Sequence, residues 1–161
     1  MMSLKLSALS LLLLCACASA PVRTHEAIPA VSGEVRSRNG IQYVDISPGS
    51  GTPMANGKCV YTHYTGWLTD STRFDTSRDA EPVAFIQGNG QVMRGWEVGF
   101  DGMRVGARRR LMIPYQLAYG AAGNPPVIPA RANLIFDVEL MAVADATNHQ
   151  CRPWKDVSRS G

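Results

Sequence analysis

The segment from Val92 to Met103 carries a helical pattern inside a chain that otherwise reads as strands and turns. Trp96, Gly99, Phe100 and Met103 recur at i, i+3, i+4 and i+7, which gives one apolar face. Gly95, Gly99 and Gly102 lower the helix propensity by about 1 kcal/mol each relative to alanine, but they permit close backbone approach. A helix this weak needs a sheet to hold it, and a lone helix in a strand-rich chain is the natural centre of the core. Trp96 is large enough to fill the middle of a concave sheet and to floor a pocket at the same time.

The strands are legible around it. Ile41 to Ile46 alternates loosely and ends at Ser47-Pro48-Gly49-Ser50-Gly51, a turn composition. Val60 to Leu68, with Tyr61, Tyr64 and Trp67, is rich in β-formers, and Arg108 to Ile113 is a strand stopped by Pro114. In Asn133 to Val143, Leu134, Phe136, Val138 and Leu140 fall on one face and Asp137 and Glu139 on the other, which predicts a sheet with one buried and one wet side. Hairpin-length connections without βαβ crossovers favour an antiparallel sheet, so the class is α+β. Two long loops carry apolar residues and are expected to line or roof a site: Asp70 to Gln91, and Ala118 to Arg131 with its Pro125-Pro126-Val127-Ile128-Pro129 run.

The ends of the chain speak to location. Lys5 precedes an apolar run from Leu6 to Leu14 that is too short to span a bilayer and is followed by small residues, in the order of a secretory signal. Leu14-Cys15-Ala16-Cys17 resembles the lipobox of bacterial lipoproteins, which makes Cys17 the expected lipid anchor and new N-terminus. The division that follows is a signal peptide over 1–16, a flexible tether over 17–39, a folded domain over 40–145 and a C-terminal tail over 146–161. The expected place is the cell envelope, lipid-anchored and facing the periplasm, with the outer membrane favoured. Cleavage after Ala18-Ser19-Ala20 is the alternative, giving a soluble periplasmic or secreted form. Loss of Lys5 with the signal lowers the formal charge from +3 to +2, and no basic tract suggests nucleic acid. Arg108-Arg109-Arg110 lies in a strand-like context where at least one arginine should face solvent, and reads as a solvated strand face, with contact to anionic head groups as the other reading. With Cys15 removed and Cys17 acylated, Cys59 and Cys151 remain where disulfides persist; a bond between them and two unpaired thiols both stay open.

Six segments in register carry a family resemblance: Ile46-Ser47-Pro48-Gly49, Thr62-His63-Tyr64-Thr65-Gly66, Phe74-Asp75-Thr76-Ser77-Arg78-Asp79, Val92-Met93-Arg94-Gly95-Trp96-Glu97, Ala118-Tyr119-Gly120 and Phe136-Asp137-Val138-Glu139-Leu140. From about Gly40 to Val143 the chain resembles the FKBP-type peptidyl-prolyl isomerases. The resemblance implies a five- or six-stranded antiparallel sheet wrapped around one short α-helix, and an apolar pocket that admits a proline ring. It implies Trp96 as pocket floor, Tyr64, Phe74 and Phe136 as aromatic walls, Val92 and Met93 as rim, and Val127 and Ile128 as a lip. Tyr119 would hydrogen-bond a substrate carbonyl, as would the Met93 N–H, and Asp75 would sit at the pocket edge, held by Tyr64. Taken singly, Phe136 and Trp96 read equally well as core residues, and Asp75 as a turn residue. His63 precedes Tyr64 on an alternating strand and so points away from the pocket.

Rotation about an X–Pro bond makes and breaks no covalent bond, so this reading calls for no cofactor, metal or nucleophile, and the chain contains no CxxC, HExxH or phosphate loop. The expected partners are proline-containing polypeptides, macrolide inhibitors and, through the lipid anchor, a membrane; the expected state is a monomer. Three positions depart from the family pattern: Ala80 where many members carry an arginine that supports the aspartate, Val83 in place of an aromatic wall, and Asn124 in place of a histidine. The missing arginine keeps alive the reading of a proline-peptide-binding module or chaperone with little turnover, and a purely structural envelope lipoprotein is a third reading.

Overall fold

The computed structural model describes residues 24–25 and 27–159; the segment read as a signal peptide, and Cys17, lie outside the described residues. Eight strands form one antiparallel sheet: β1 (Thr24–His25), β2 (Arg36–Arg38), β3 (Ile41–Ser47), β4 (Lys58–Leu68), β5 (Thr72–Thr76), β6 (Val83–Ile86), β7 (Arg108–Ile113) and β8 (Leu134–Asp145). Their order is β1-β5-β4-β8-β7-β3-β2, with β6 pairing β4 beside β8 and β5. Strands β3 to β8 make the six-stranded sheet that the family resemblance implies, although Asp70 to Gln91, read as a loop, holds β5 and β6, which at five and four residues are too short to show a sustained period; the N-terminal stretch adds two more strands. Helix α1 (Arg94–Phe100) lies against the sheet, a 3-10 turn spans Tyr115–Leu117, and a short α2 (Trp154–Val157) closes the tail.

α1 is shorter than its sequence pattern because Met93 is still extended at ψ 146° and Asp101 leaves the helical region at ψ 129°. Its glycines are packing residues. A β-carbon on Gly95 would collide with the Ile113 side chain, and one on Gly99 would lie 2.5 Å from Leu111 Cδ1. The helix therefore sits backbone-close on β7 and drives Trp96, Phe100 and Met103 into the core, where all three are buried. At about 1.5 to 3 kcal/mol per buried large side chain, that burial offsets the poor propensity of the helix.

The outer face differs from the expected wet side. Along β4, Val60, Tyr64 and Leu68 join the core beneath α1, whereas Cys59 and Tyr61 face a second cluster with Ile86 and Val157. A disulfide joins Cys59 to Cys151, so the thiol alternative falls. Tyr61 Oη donates to the Arg152 carbonyl at 2.7 Å and its ring meets Trp154 at 5.7 Å, which folds the tail back over β4. Closing a loop with sequence separation 92 contributes up to about 4 to 5 kcal/mol in the chain-entropy account.

Two more expectations change here. Arg108 is exposed, as expected of at least one of the three arginines, but Arg109 and Arg110 are not solvated: they are buried on opposite faces of β7. Arg110 binds Asp137 with two bonds of 2.6 and 2.7 Å and donates to the Pro29 carbonyl at 2.8 Å. Arg109 pairs with Asp45 at 2.6 Å and reaches the Gly99 and Asp101 carbonyls, the orphan acceptors at the end of α1. Strand alternation cannot reveal this, because the covering comes from residues remote in sequence. Part of that cover is the stretch read as tether: β1 pairs β5, β2 pairs β3, and Pro29 lies over β7 between them.

Candidate active site

Four strands and the entry to α1 converge on one apolar cavity of about 440 Å³. β4 supplies Tyr64, β5 Phe74 and Asp75, β6 Val83, β8 Phe136, and the end of the 3-10 turn Ala118 and Tyr119, while Gln91, Val92, Met93 and Trp96 close the helix side. A larger cleft of about 730 Å³ lies elsewhere, but Asn56, Gln87, Asn89, Asn148 and His149 make it polar, without the apolar lining a proline ring calls for.

The rings form an edge-to-face cage. Trp96 stands 5.0 Å from Tyr64 and 5.3 Å from Phe136 between centroids, at interplanar angles of 77° and 86°. Phe74 meets Phe136 at 5.6 Å and 89°. Such pairs contribute about 0.5 to 1.5 kcal/mol each beyond area burial and hold each ring in one orientation. The Trp96 indole N–H is buried at the floor without an acceptor among the described residues. Gly66 explains how the cage closes: a β-carbon there would lie 2.7 Å from Phe74 Cζ and 2.8 Å from Phe136 Cε1. Sequence reading missed this role, although a glycine inside an aromatic-rich strand is a signal of close approach.

At the mouth Tyr64 Oη donates to Asp75 Oδ2 at 2.5 Å, and the Thr76 N–H donates to Asp75 Oδ1 at 2.8 Å. Burial, followed by the bond to Asp75, pushes the Tyr64 phenol well above the ordinary tyrosine range. Tyr119 is raised as well, first by burial and then by the Asp75 charge. Both phenols are therefore neutral donors at physiological pH. The Tyr119 ring is 40% exposed and its hydroxyl bonds to no other described residue, so it is available at the opening.

The sequence profile described as FKBP-type peptidyl-prolyl cis-trans isomerase matches residues 51–141. An FK506-binding protein of Neisseria meningitidis serogroup B is 46% identical over 105 residues, covering 65% of this chain and 96% of that protein. The peptidyl-prolyl cis-trans isomerase Fkbp12 of Drosophila melanogaster is 48% identical over 106 residues, covering 65% and 98%. This chain is an FKBP-type peptidyl-prolyl cis-trans isomerase. Solved structures agree in fold: FkpA from Escherichia coli has a TM-score of 0.65 at 36% identity over 70% of this chain, which spans about half of FkpA at 53%. A peptidyl-prolyl cis-trans isomerase from Pseudomonas syringae pv. tomato gives 0.63 at 34% identity, covering 69% and 81%.

The FKBP resemblance placed eight residues that the fold brings together: Tyr64, Phe74, Asp75, Val92, Met93, Trp96, Tyr119 and Phe136. Two others are not at the cavity. Ile128 is buried in the core and Val127 packs against that core, and neither is among the residues that line the cavity. The reason is local: Asn124 and Ile128 exchange both backbone hydrogen bonds at 2.9 Å, which turns the proline-rich loop inward on itself. Asn124 thereby acts through its backbone. His63 lies 3.1 Å from Ser77 Oγ, off the cavity, as strand alternation predicts. Ala80 is exposed and brings no cation to Asp75, and Arg78 nearby is held by Glu139 at 2.6 Å. Val83 is half-open at the mouth.

Gln91 is a further lining residue that the motifs did not indicate. Its Oε1 accepts the Ile86 N–H at 2.7 Å, while Glu97 Oε1 accepts the Gly90 N–H at 2.8 Å and Glu97 Oε2 pairs with Arg94 at 3.0 Å. These bonds fix the loop that delivers Val92 and Met93 to the rim. Among the described residues, no group of three or more His, Cys, Asp or Glu is placed to hold a metal ion.

Proposed function

We propose that this isomerase accelerates X–Pro rotation in envelope or secreted polypeptides by stabilising the twisted amide in its aromatic cavity without covalent chemistry. The observation that supports this most is the cage itself, an aromatic floor of Trp96 and Phe136 beside one carboxylate and two neutral phenols. The uncatalysed barrier is about 18 to 20 kcal/mol because the planar amide has double-bond character. The planar form is charge-separated and well solvated by water; the twisted form is less dipolar. Moving the imide into the cavity raises the planar form relative to the twisted one, and the Tyr119 hydroxyl bonds a substrate carbonyl so that the orientation is kept. Asp75, held by Tyr64, faces the amide carbon as it loses conjugation.

The same reading places the chain in the cell envelope as a monomer on a lipid anchor at Cys17. It also takes up proline-containing segments and macrolides of the kind named in its relatives, FK506-binding proteins. The test is cis-to-trans relaxation of an X–Pro peptide with the full chain, alongside Asp75→Ala and Phe136→Tyr. Each variant is expected to lose roughly tenfold in kcat/KM, about 1.4 kcal/mol of transition-state stabilisation. Unchanged rates in both would remove the site assignment. Tight peptide binding with turnover near the uncatalysed rate would favour the binding-module reading, which Ala80 supports because Asp75 lacks a cationic partner there.

A further inference from the structure

The N-terminal stretch has the composition of a free tether, yet in the fold it is a strap. β1 pairs with β5 in the register Thr24↔Arg73 and His25↔Thr72 at one border of the sheet. β2 pairs with β3 through Arg36↔Tyr43, Ser37↔Gln42 and Arg38↔Ile41 at the other border. Between them the chain crosses the outer face, where the Pro29 carbonyl takes a 2.8 Å bond from Arg110, itself locked to Asp137. The strap therefore enters the domain beside β5, the strand that carries Phe74 and Asp75 of the cavity.

Magnitudes separate a tether from a strap. A free segment from Cys17 to Gly40 could extend ~80 Å and would let the domain turn in any direction. Docking at Thr24 leaves seven residues after Cys17, a reach of at most ~25 Å. The β2 border lies six strand steps away from β1, which at ~4.8 Å per step is about 29 Å along the sheet.

We infer that the strap holds the isomerase with its β5 border, and so the mouth of the proline cavity, toward a bilayer surface, the β2 border facing away. This rests on the reading of Cys17 as a lipid anchor. The partner is the lipid surface, and the clients are chains presented within roughly 30 Å of it, the reach of the short leader plus the two residues from Arg73 to Asp75.

The test uses the full mature chain purified from cells and bound to phosphatidylethanolamine–phosphatidylglycerol vesicles that carry an acceptor dye in the headgroup layer. A donor is placed, as an unnatural amino acid, at exposed Asp79, three residues after β5, in one sample and at exposed Ser37 on β2 in another. Transfer from position 79 is expected to exceed that from 37 by about twofold or more, given the ~29 Å offset. Inserting about twelve Gly/Ser residues after Ala20, ~20 Å of flexible chain, is expected to bring the two together and leave activity on a soluble peptide unchanged. Equal transfer in a chain that floats with the vesicles overturns the orientation alone, as does greater transfer from 37. A chain that does not float overturns the anchor and the orientation with it.

Discussion

Two carboxylates in this domain are treated in opposite ways. Asp137, on the outer face of β8, is buried and receives two hydrogen bonds from Arg110. Asp75, at the cavity mouth, is exposed and receives one phenol and one backbone N–H. The first is clamped by both bonds of one buried guanidinium and serves the fold. The second keeps lone pairs and charge directed at an opening, which a structural carboxylate in a dry interior could not tolerate. Geometry tells them apart, because in the sequence both are an aspartate after a phenylalanine, Phe74-Asp75 and Phe136-Asp137.

The contrast can be broken most forcefully at the buried pair. Arg110→Ala leaves the Asp137 charge unpaired and is expected to destabilise the fold by about 3 to 5 kcal/mol, read from urea unfolding; the volume-matched Arg110→Met/Asp137→Leu chain should recover most of it. Gly66→Val is expected to come next, at roughly 1 to 3 kcal/mol, with loss of isomerase activity, because the new side chain must displace Phe74 or Phe136. Asp75→Ala is expected to shift stability by about 1 kcal/mol or less while lowering kcat/KM roughly tenfold, the reverse of the Arg110 pattern. A large stability loss with unchanged rate would show that the two carboxylates do the same work.

The smallest effect is in pH. The folded state raises the Tyr64 and Tyr119 phenols above their ordinary value of about 10, so the neutral form is favoured on folding. Their contribution is fully present below about pH 10 and is lost as pH rises toward the folded values. Denaturation midpoints are expected to fall gradually above pH 10, and less steeply in Tyr64→Phe, where the deeper of the two phenols is gone.

Much of the site was legible because its information is local. The period of Trp96 and Phe100 in α1, the β-rich run around Tyr64 in β4 and the Phe74-Asp75 pair in β5 each lie within single elements, and the register among them carries the family. What escaped reading depends on partners far along the chain. Arg109 and Arg110 look alike and solvated on paper, yet Asp45 and Asp137 bury both. Val127 and Ile128 look like a lip, but the Asn124–Ile128 bridge turns the loop inward. Gly66 looks like an ordinary weak spot in a strand until two rings arrive over it.

The chain by itself determined an antiparallel sheet around one glycine-rich helix, since hydrophobic period and turn chemistry act over a few residues, while the aromatic residues of the cavity were implied by the family resemblance. Only the tertiary structure decided which face stays wet, which carboxylate is left open, and that the N-terminal stretch is a strap. Those outcomes are set by burial and hydrogen-bond satisfaction between distant segments, and desolvation penalises a charge or an N–H according to what covers it, not according to its neighbours in sequence.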